Sequence, residues 1–316
     1  MSEDIDLNDY MKGSNYLGVP VALVDSGRRL IEWTVSEFGS AMKGLHDQTD
    51  RTIPSALNSG IMEFPRERRS YLRKIAEQGV MMSTMAVHHM LDHASAIGRV
   101  LSEEPMPLWS PLSLSRVALE SGLQACYLSD SSAGAETLVL RAAAMYIGML
   151  EEQDKLANLF AGEKGELGHT VKQCDQAKAL ASRAGMEFIE RKGRVRSVGY
   201  IAGGSQVNVE MNATDAANKW VPEMTGAYSL GSGSTHAGFW LTIHSFGDGN
   251  LRSDPSLIVN AVTTPVHVCR AVVTAMRDFW GVDAGNFTDA AEVKLRRYYA
   301  IYLTWKSSLK ANGVVG

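Results

Sequence analysis

The sequence predicts an all-α protein, a single helical bundle-type domain of about eight helices with a short hairpin or extended insertion near residues 194–210. Apolar residues recur at helical spacing along most of the chain. Prolines and small polar residues stand where several of these periodic stretches begin, as they do at helix starts. Strand-like alternation occurs in RVRSVGYIAGGSQVNVEM, residues 194–211, on both sides of Ala-Gly-Gly, which favours a hairpin or an extended loop.

The composition is that of a globular protein and excludes several functional classes. The chain has 316 residues, 45% of them hydrophobic and 21% charged, enough to bury a sizeable core. A net charge of −4 argues against a protein that binds nucleic acid over its whole surface. The acidic start is no secretory signal, and there is no run of about 18 apolar residues to span a membrane. We expect a cytoplasmic protein without membrane contact, with an irregular segment over 1–20 and one domain over 21–316.

Proline positions and apolar spacing predict the helices of the first half. A helix over 28–45 is followed by a polar loop over 46–60. Pro65 opens the longest periodic stretch, 65–103, which could exceed about 50 Å at ~1.5 Å per residue. After a proline-rich linker, a serine near position 113 can cap a helix that runs through residue 128.

Helix-start residues define the second half in the same way. Ser132 followed by Glu136 approximates the start signal of a helix, and Asp254-Pro255 and Thr288 are plausible starts for the last two. The predicted helices of this half are 134–160, 170–191, 213–220, 254–280 and 288–310.

Arg116 and Glu120 form the first candidate site. They are four residues apart in SRVALE and therefore share one face of a largely apolar helix. A charged pair on such a helix needs partners if it is buried. The pair is either a structural link between helices, or Arg116 faces a pocket and binds an anion while Glu120 orients it.

A histidine cluster, VHHMLDH, is the second candidate. His89 and His93 are one turn apart, so both could reach one metal ion. A metal site needs further ligands, and no third ligand helix is apparent in the sequence. We predict no metal and no cofactor. The favoured interpretation makes His93 a partly buried residue that is hydrogen-bonded toward the Arg116 face.

The segment AYSLGSGSTHAGFW, residues 227–240, is the third candidate. If it is helical, Tyr228, Ser232 and His236 lie at successive i, i+4 positions on one face. Gly231 would let another helix or a ligand approach the backbone closely. His236 could act as a general acid or base, or it could be a satisfied core histidine in a close helix contact.

Four motifs taken in order resemble a family of helical proteins common in actinobacteria and their mobile elements. They are LDHASAIGRVL, LSRVALESGLQACYLSD, LVLRAAAMYIGMLEEQ and YSLGSGSTHAG. The arrangement is more distantly similar to HEPN-type helical domains, many of which are ribonucleases of toxin–antitoxin and phage-defence systems with their site at a dimer interface. The resemblance implies a polar seam, with Ser229 as the alternative to Ser232, and allows a homodimer. The seam would contain His93, Arg116, Glu120, Arg141, Tyr228, Ser232 and His236.

Four functions follow from these observations. The leading hypothesis is a module that binds a nucleotide, RNA or another anion at the Arg/Glu/His seam. The second is a metal-independent ribonuclease in which His236 transfers protons while Arg116 and Arg141 stabilise phosphorane-like charge. The third is a metal-dependent helical enzyme that uses the two histidines and Glu120. The last is a structural role, in which a buried polar network specifies one packing of the helices.

Overall fold

A computed structural model of the chain describes residues 19–47, 52–104, 106–107, 109–160, 167–235, 246–247, 250–251, 254–283 and 285–311. Within these ranges the chain forms ten α-helices, a three-stranded antiparallel sheet and a two-stranded ladder. The helices are α1 (Val21–Asp47), α2 (Ser55–Ile61), α3 (Arg66–Val100), α4 (Ser110–Leu128), α5 (Gly134–Phe160), α6 (Leu167–Arg183), α7 (Ala213–Trp220), α8 (Thr225–Thr235), α9 (Pro255–Trp280) and α10 (Phe287–Ala311). The strands are β1 (Met186–Arg191), β2 (Arg194–Tyr200), β3 (Gln206–Asn208), β4 (Phe246–Gly247) and β5 (Asn250–Leu251). The predicted mostly helical class is confirmed.

Two helices raise the described count from about eight to ten. Helix α2 lies inside the stretch predicted as a polar loop, where Leu57 and Ile61 are buried and anchor its single apolar face. Helix α8 contains the first part of the segment AYSLGSGSTHAGFW, for which the sequence left a helix as a condition. Both helices are short, so their apolar period is too brief to stand out from a loop.

The small sheet corrects one helix prediction. The helix expected over 170–191 ends at Arg183, because Gly185 adopts a φ of 86° and turns the chain into β1. Strand β1 pairs antiparallel with β2, and β2 pairs with β3 in the hairpin that the sequence allowed. A change of register between Ile189 and Glu190 interrupts the β1–β2 ladder.

Side-chain caps begin two of the helices that the sequence located well. The Asn212 carboxamide oxygen accepts hydrogen bonds from two backbone N–H groups at the start of α7. The Asp254 carboxylate accepts one from the Ser256 N–H at 2.8 Å, directly before Pro255 at the start of α9. These caps fix where α7 and α9 begin, which is why the predicted and observed starts agree within one residue.

Apolar side chains gather in two large clusters, and the long helix α3 contributes to both. Leu72 and Ile75 pack with α5 and the sheet, whereas Met90 and Ile97 pack with α1, α4 and α9. At ~1.5 Å per residue the 35 residues of α3 extend over about 52 Å. The middle of α3 therefore lies where one cluster gives way to the other.

Two helices among the described residues are long and apolar enough to cross a membrane by length and composition, as buried core helices of globular proteins also can be. In Pro255–Trp280, 78% of the apolar window is buried inside the protein, and in Ser131–Ala157 the share is 44%. The first of these is the central helix α9, whose apolar residues form much of the cluster around α1 and α4. The cytoplasmic location stays a prediction.

Candidate functional site

Arg116, Glu120 and Tyr228 lie together at the contact between α4 and α8. The Arg116 Nε and Nη2 atoms donate to Glu120 Oε1 at 3.1 and 3.0 Å, and the Arg116 side chain is only 13% exposed. The guanidinium carbon stands 5.1 Å from the centroid of the Tyr228 ring. Arg116 is thus held by one carboxylate and one aromatic ring, and two of its nitrogen atoms donate within the protein.

Gly231 permits this close contact between the helices. A Cβ atom at position 231 would lie 2.6 Å from the Arg116 Cβ and 3.3 Å from the Leu112 carbonyl oxygen. Only a residue without a side chain fits at these distances, so α8 can approach the backbone of α4 at this point.

Arg141 lies elsewhere, away from Arg116. Its Nη1 atom donates to the Tyr127 carbonyl oxygen and to Asp130 Oδ2, each at 2.9 Å, and its guanidinium carbon lies 4.1 Å from the centroid of the Tyr127 ring. Tyr127 follows Arg116 by eleven residues on α4, about 16 Å along the helix axis. The structure therefore divides the polar seam that the resemblance implied.

His89 and His93 both lie on α3, and one bonds to α4 while the other bonds to the backbone of α3 itself. The His89 Nδ1 lies 3.0 Å from the Ser121 Oγ, and the His93 Nδ1 lies 2.9 Å from the His89 carbonyl oxygen. The expected bond from His93 toward the Arg116 face is replaced by this bond to its own helix, because the carbonyl one turn earlier is already within reach. The His89 and His93 rings are 4.5 Å apart, yet no group of three or more metal-binding His, Cys, Asp or Glu residues gathers in the described part of the chain.

Two predicted residues, Ser232 and His236, have side chains that the structure does not describe. The Ser232 backbone belongs to α8, and its side chain lies outside the described residues, as does all of His236. Ser229, the alternative to Ser232, has an exposed side chain.

A cavity of about 950 Å³, which was not predicted from the sequence, includes Glu120 and Tyr228 in its lining. It is bounded by α3, α4, α5, α8 and the β2–β3 hairpin. Five methionines line its apolar part, namely Met82, Met85, Met145, Met149 and Met211. Five carboxylates line it as well, namely Asp92, Glu120, Glu151, Glu152 and Glu210. His88, His89 and Tyr228 complete the polar wall near α3 and α8.

The two arginines that line this cavity each have a glutamate beside them. The Arg194 Nη1 is 2.8 Å from Glu152 Oε1, and the Arg196 Nη1 is 3.9 Å from Glu210 Oε1. Hydrogen bonds from Lys155 and Arg194 hold the pKa of Glu152 below its usual range, so this carboxylate stays ionised at neutral pH. Five carboxylates thus stand against two guanidinium groups on the cavity wall, and each carboxylate has a Lys or Arg nitrogen within 4.0 Å.

The spacing of the methionines along the sequence indicates shared helix faces, but it does not indicate that these faces meet around one cavity. Met82 and Met85, like Met145 and Met149, are spaced to share a helix face. The contact that closes the cavity joins distant segments: the Val195 N–H donates to the Glu151 carboxylate at 3.1 Å across 44 residues of chain.

No protein-family model, curated protein or solved structure matches this chain. The residues and their geometry therefore carry the functional argument.

Proposed function

We propose that this protein is a binding module that takes a small organic cation with an apolar body into the methionine-lined cavity. The observation that carries the proposal is the combination of five methionines with five carboxylates against two paired arginines on one wall. The volume of about 950 Å³ lies at the upper end of the range of small-molecule sites.

The methionines support an apolar ligand body of variable shape. Methionine side chains are unbranched and polarizable, so they adapt to ligands better than branched residues do. Met85 is 56% exposed and stands at the edge of the cavity, where it can contact an entering molecule. Binding is favoured by about 25 cal/mol for each Å² of apolar wall that a ligand removes from water.

The carboxylates support a positive charge on the ligand. Asp92 and Glu210 line the cavity and are 73% and 85% exposed, and the arginine nitrogen beside each carboxylate is no closer than 3.9 Å. A unit charge 4 Å from a carboxylate gains about 1 kcal/mol even at the dielectric constant of water. A cationic group is therefore favoured over an anionic one near this wall.

The described residues give less support to an anionic ligand at the seam. Arg116 is bonded to Glu120 and mostly buried, and Arg141 is bonded to Asp130 at the far end of α4. A nucleotide or RNA ligand, a ribonuclease activity that uses His236, and a homodimer stay predictions. The experiment below also tests the nucleotide.

Isothermal titration calorimetry with a matched set of probes tests the proposal. The set comprises 3-phenylpropyltrimethylammonium, its neutral analogue with carbon in place of nitrogen, 4-phenylbutyrate, and adenosine monophosphate. We expect the cation to bind about fivefold more tightly than the neutral analogue, the equivalent of about 1 kcal/mol. Both anions should bind more weakly than the neutral analogue.

Two methionine variants place the binding in the cavity. Met85→Trp narrows the entrance and should weaken cation binding by about tenfold or more, that is, about 1.4 kcal/mol. Met81→Trp is the matched control, since Met81 is an exposed methionine one turn earlier on α3 that does not line the cavity. If adenosine monophosphate binds most tightly of the four probes, this result would contradict the cation proposal and support a nucleotide ligand. Equal effects of the two tryptophan variants would place the binding outside this cavity.

A further inference from the structure

A second cleft, of about 410 Å³, lies at the opposite end of α4 from Arg116. It forms where the turn after α4 meets the end of α7, the second half of α9 and the start of α10. Its polar side chains include Ser132, Lys219, His267 and Arg270, and the indole of Trp220 forms part of its apolar wall. None of these residues lines the methionine-lined cavity, so the two sites are distinct.

Two buried nitrogen atoms on α9 are unsatisfied on the wall of this cleft. His267 is 8% exposed, and its Nε2 has no hydrogen-bond partner within the described part of the protein. The Arg270 Nε is also buried and has no hydrogen-bond partner within the described part of the protein. His267 and Arg270 are three residues apart, and they share the face of α9 that also presents Ala271 and Thr274 to the cleft. A buried polar nitrogen without a partner costs about 1–3 kcal/mol, so a ligand that satisfies both would be favoured.

Both unsatisfied nitrogens can act as hydrogen-bond donors. Arg270 Nη1 pairs with Glu292 Oε2 at 2.8 Å, and the buried Nε–H of the same guanidinium has no partner among the described residues. Burial lowers the pKa of His267 below its ordinary range, although the nearby Glu223 and Glu292 oppose this, so the imidazole is neutral at neutral pH. A neutral imidazole can carry its proton on Nε2 and donate from there.

Lys219 adds a third donor at the cleft. Its Nζ lies 2.6 Å from Asp130 Oδ2 and 3.3 Å from Ser132 Oγ, and its side chain is 46% exposed. The acidic groups of the cleft are mostly paired: Asp130 with Lys219 and Arg141, and Asp278 with its neighbour Arg277. Glu223 is the exposed carboxylate in the lining for which no ion pair is observed among the described residues. The donors therefore line the cleft, and the remaining negative charge lies on the exposed side chain of Glu223.

We propose that this cleft binds a small molecule that bears a carboxylate on a short apolar or aromatic body. The carboxylate accepts from Arg270 Nε, His267 Nε2 and the Lys219 ammonium, and the apolar body lies along Trp220. The size of the cleft restricts the ligand to a small metabolite. This second site does not depend on the function proposed for the methionine-lined cavity.

Calorimetric titration of the full-length chain with sodium benzoate tests the proposal, with inorganic phosphate as the competing oxyanion. Benzoate should bind, and Arg270→Gln should weaken binding by about tenfold, as expected for one lost charge-assisted hydrogen bond. Arg28→Gln is the matched control, because Arg28 pairs with Glu32 on α1 and neither residue lines the cleft. It should change benzoate affinity less than about twofold.

Two further measurements keep the test independent of the stability of the Arg270 variant. Lys219→Met removes an exposed donor on a different helix and should also weaken benzoate binding. In long-range nitrogen–proton spectra of the wild type, benzoate should shift the imidazole resonances of His267. Phosphate binding more tightly than benzoate would overturn the carboxylate assignment. Absence of benzoate binding, or equal losses in Arg270→Gln and Arg28→Gln, would overturn the site.

Discussion

Replacing Gly231 by alanine tests the contact that brings Arg116, Glu120 and Tyr228 together. In an ordinary helix interior this change is stabilising by about 1 kcal/mol, because alanine restricts the unfolded chain and favours the helix. At position 231 the new Cβ would lie 2.6 Å from the Arg116 Cβ and 3.3 Å from the Leu112 carbonyl oxygen. Neither atom can rotate away, since one is the root of a side chain and the other belongs to a helix backbone.

The magnitude follows from the opposition of these two effects. Overpacking costs about 1–3 kcal/mol, and the immobile neighbours place this site at the upper end, about 3 kcal/mol. Subtracting the gain in helix propensity leaves a net loss of about 2 kcal/mol. For a chain of this size about 2 °C of Tm corresponds to 1 kcal/mol, so Tm should fall by about 4 °C.

Gly39→Ala is the matched control for thermal unfolding followed by circular dichroism. Gly39 is also inside a helix, α1, but nothing lies within 4 Å of the position its Cβ would take. Its Tm should rise by about 2 °C. If Gly231→Ala is as stable as Gly39→Ala, α8 does not lie against α4 as described, and the Arg116–Tyr228 contact is refuted with it.

Two further predictions concern buried ionisable groups. Burial alone would raise the pKa of Asp130, but hydrogen bonds from Lys219, Ser132 and Arg141 outweigh it and hold the pKa below its usual range. The stabilisation is therefore present above the unfolded pKa of about 3.9 and is lost as the pH falls through the lower folded pKa. Asp130→Asn should cost about 3 kcal/mol at neutral pH, with a difference in Tm from wild type that narrows in acid; a constant difference would contradict this. Burial raises the pKa of the thiols of Cys126 and Cys269, so Ellman's reagent at mildly alkaline pH should not modify either until urea unfolds the chain. Rapid modification of both in the native protein would show that their helices are not packed as described.

The sequence predicted the helices that carry their own start and stop signals. Asp254-Pro255 begins α9, and Gly281, with a φ of 68°, ends it, so local chemistry alone decides both ends. Strand β1 has no comparable local signal. Met186 is in a strand because it pairs with Tyr200, and a helical interpretation of 170–191 could not include a partner outside that stretch.

The candidate site was predictable as pairs along one helix and unpredictable as a three-dimensional group. The spacing of Arg116 and Glu120 predicted their contact, since residues four apart meet on any helix. The partner of Arg141 is Asp130, eleven residues earlier and across a turn, and nothing in the spacing indicates which helix end Arg141 would reach. The methionine-lined cavity depends on where the hairpin packs against α5, which is a property of the whole fold.

Helix α4 adjoins both proposed sites, and its packing argues that they act independently. Glu120 and Gln124 line the methionine-lined cavity, and Asp130, two residues after the helix, lines the second cleft. Between them, a Cβ at Gly122 would overlap Val268 Cγ2 and lie 2.8 Å from Met90 Sδ, so α4 has no room to shift. Coupling between two sites needs an element that can adopt two arrangements. The close packing at Gly122 leaves α4 with a single arrangement. Saturating benzoate should therefore change the Kd for 3-phenylpropyltrimethylammonium by less than about twofold, or 0.4 kcal/mol. A larger change would show that α4 has a second packing, which the close contact at Gly122 argues against.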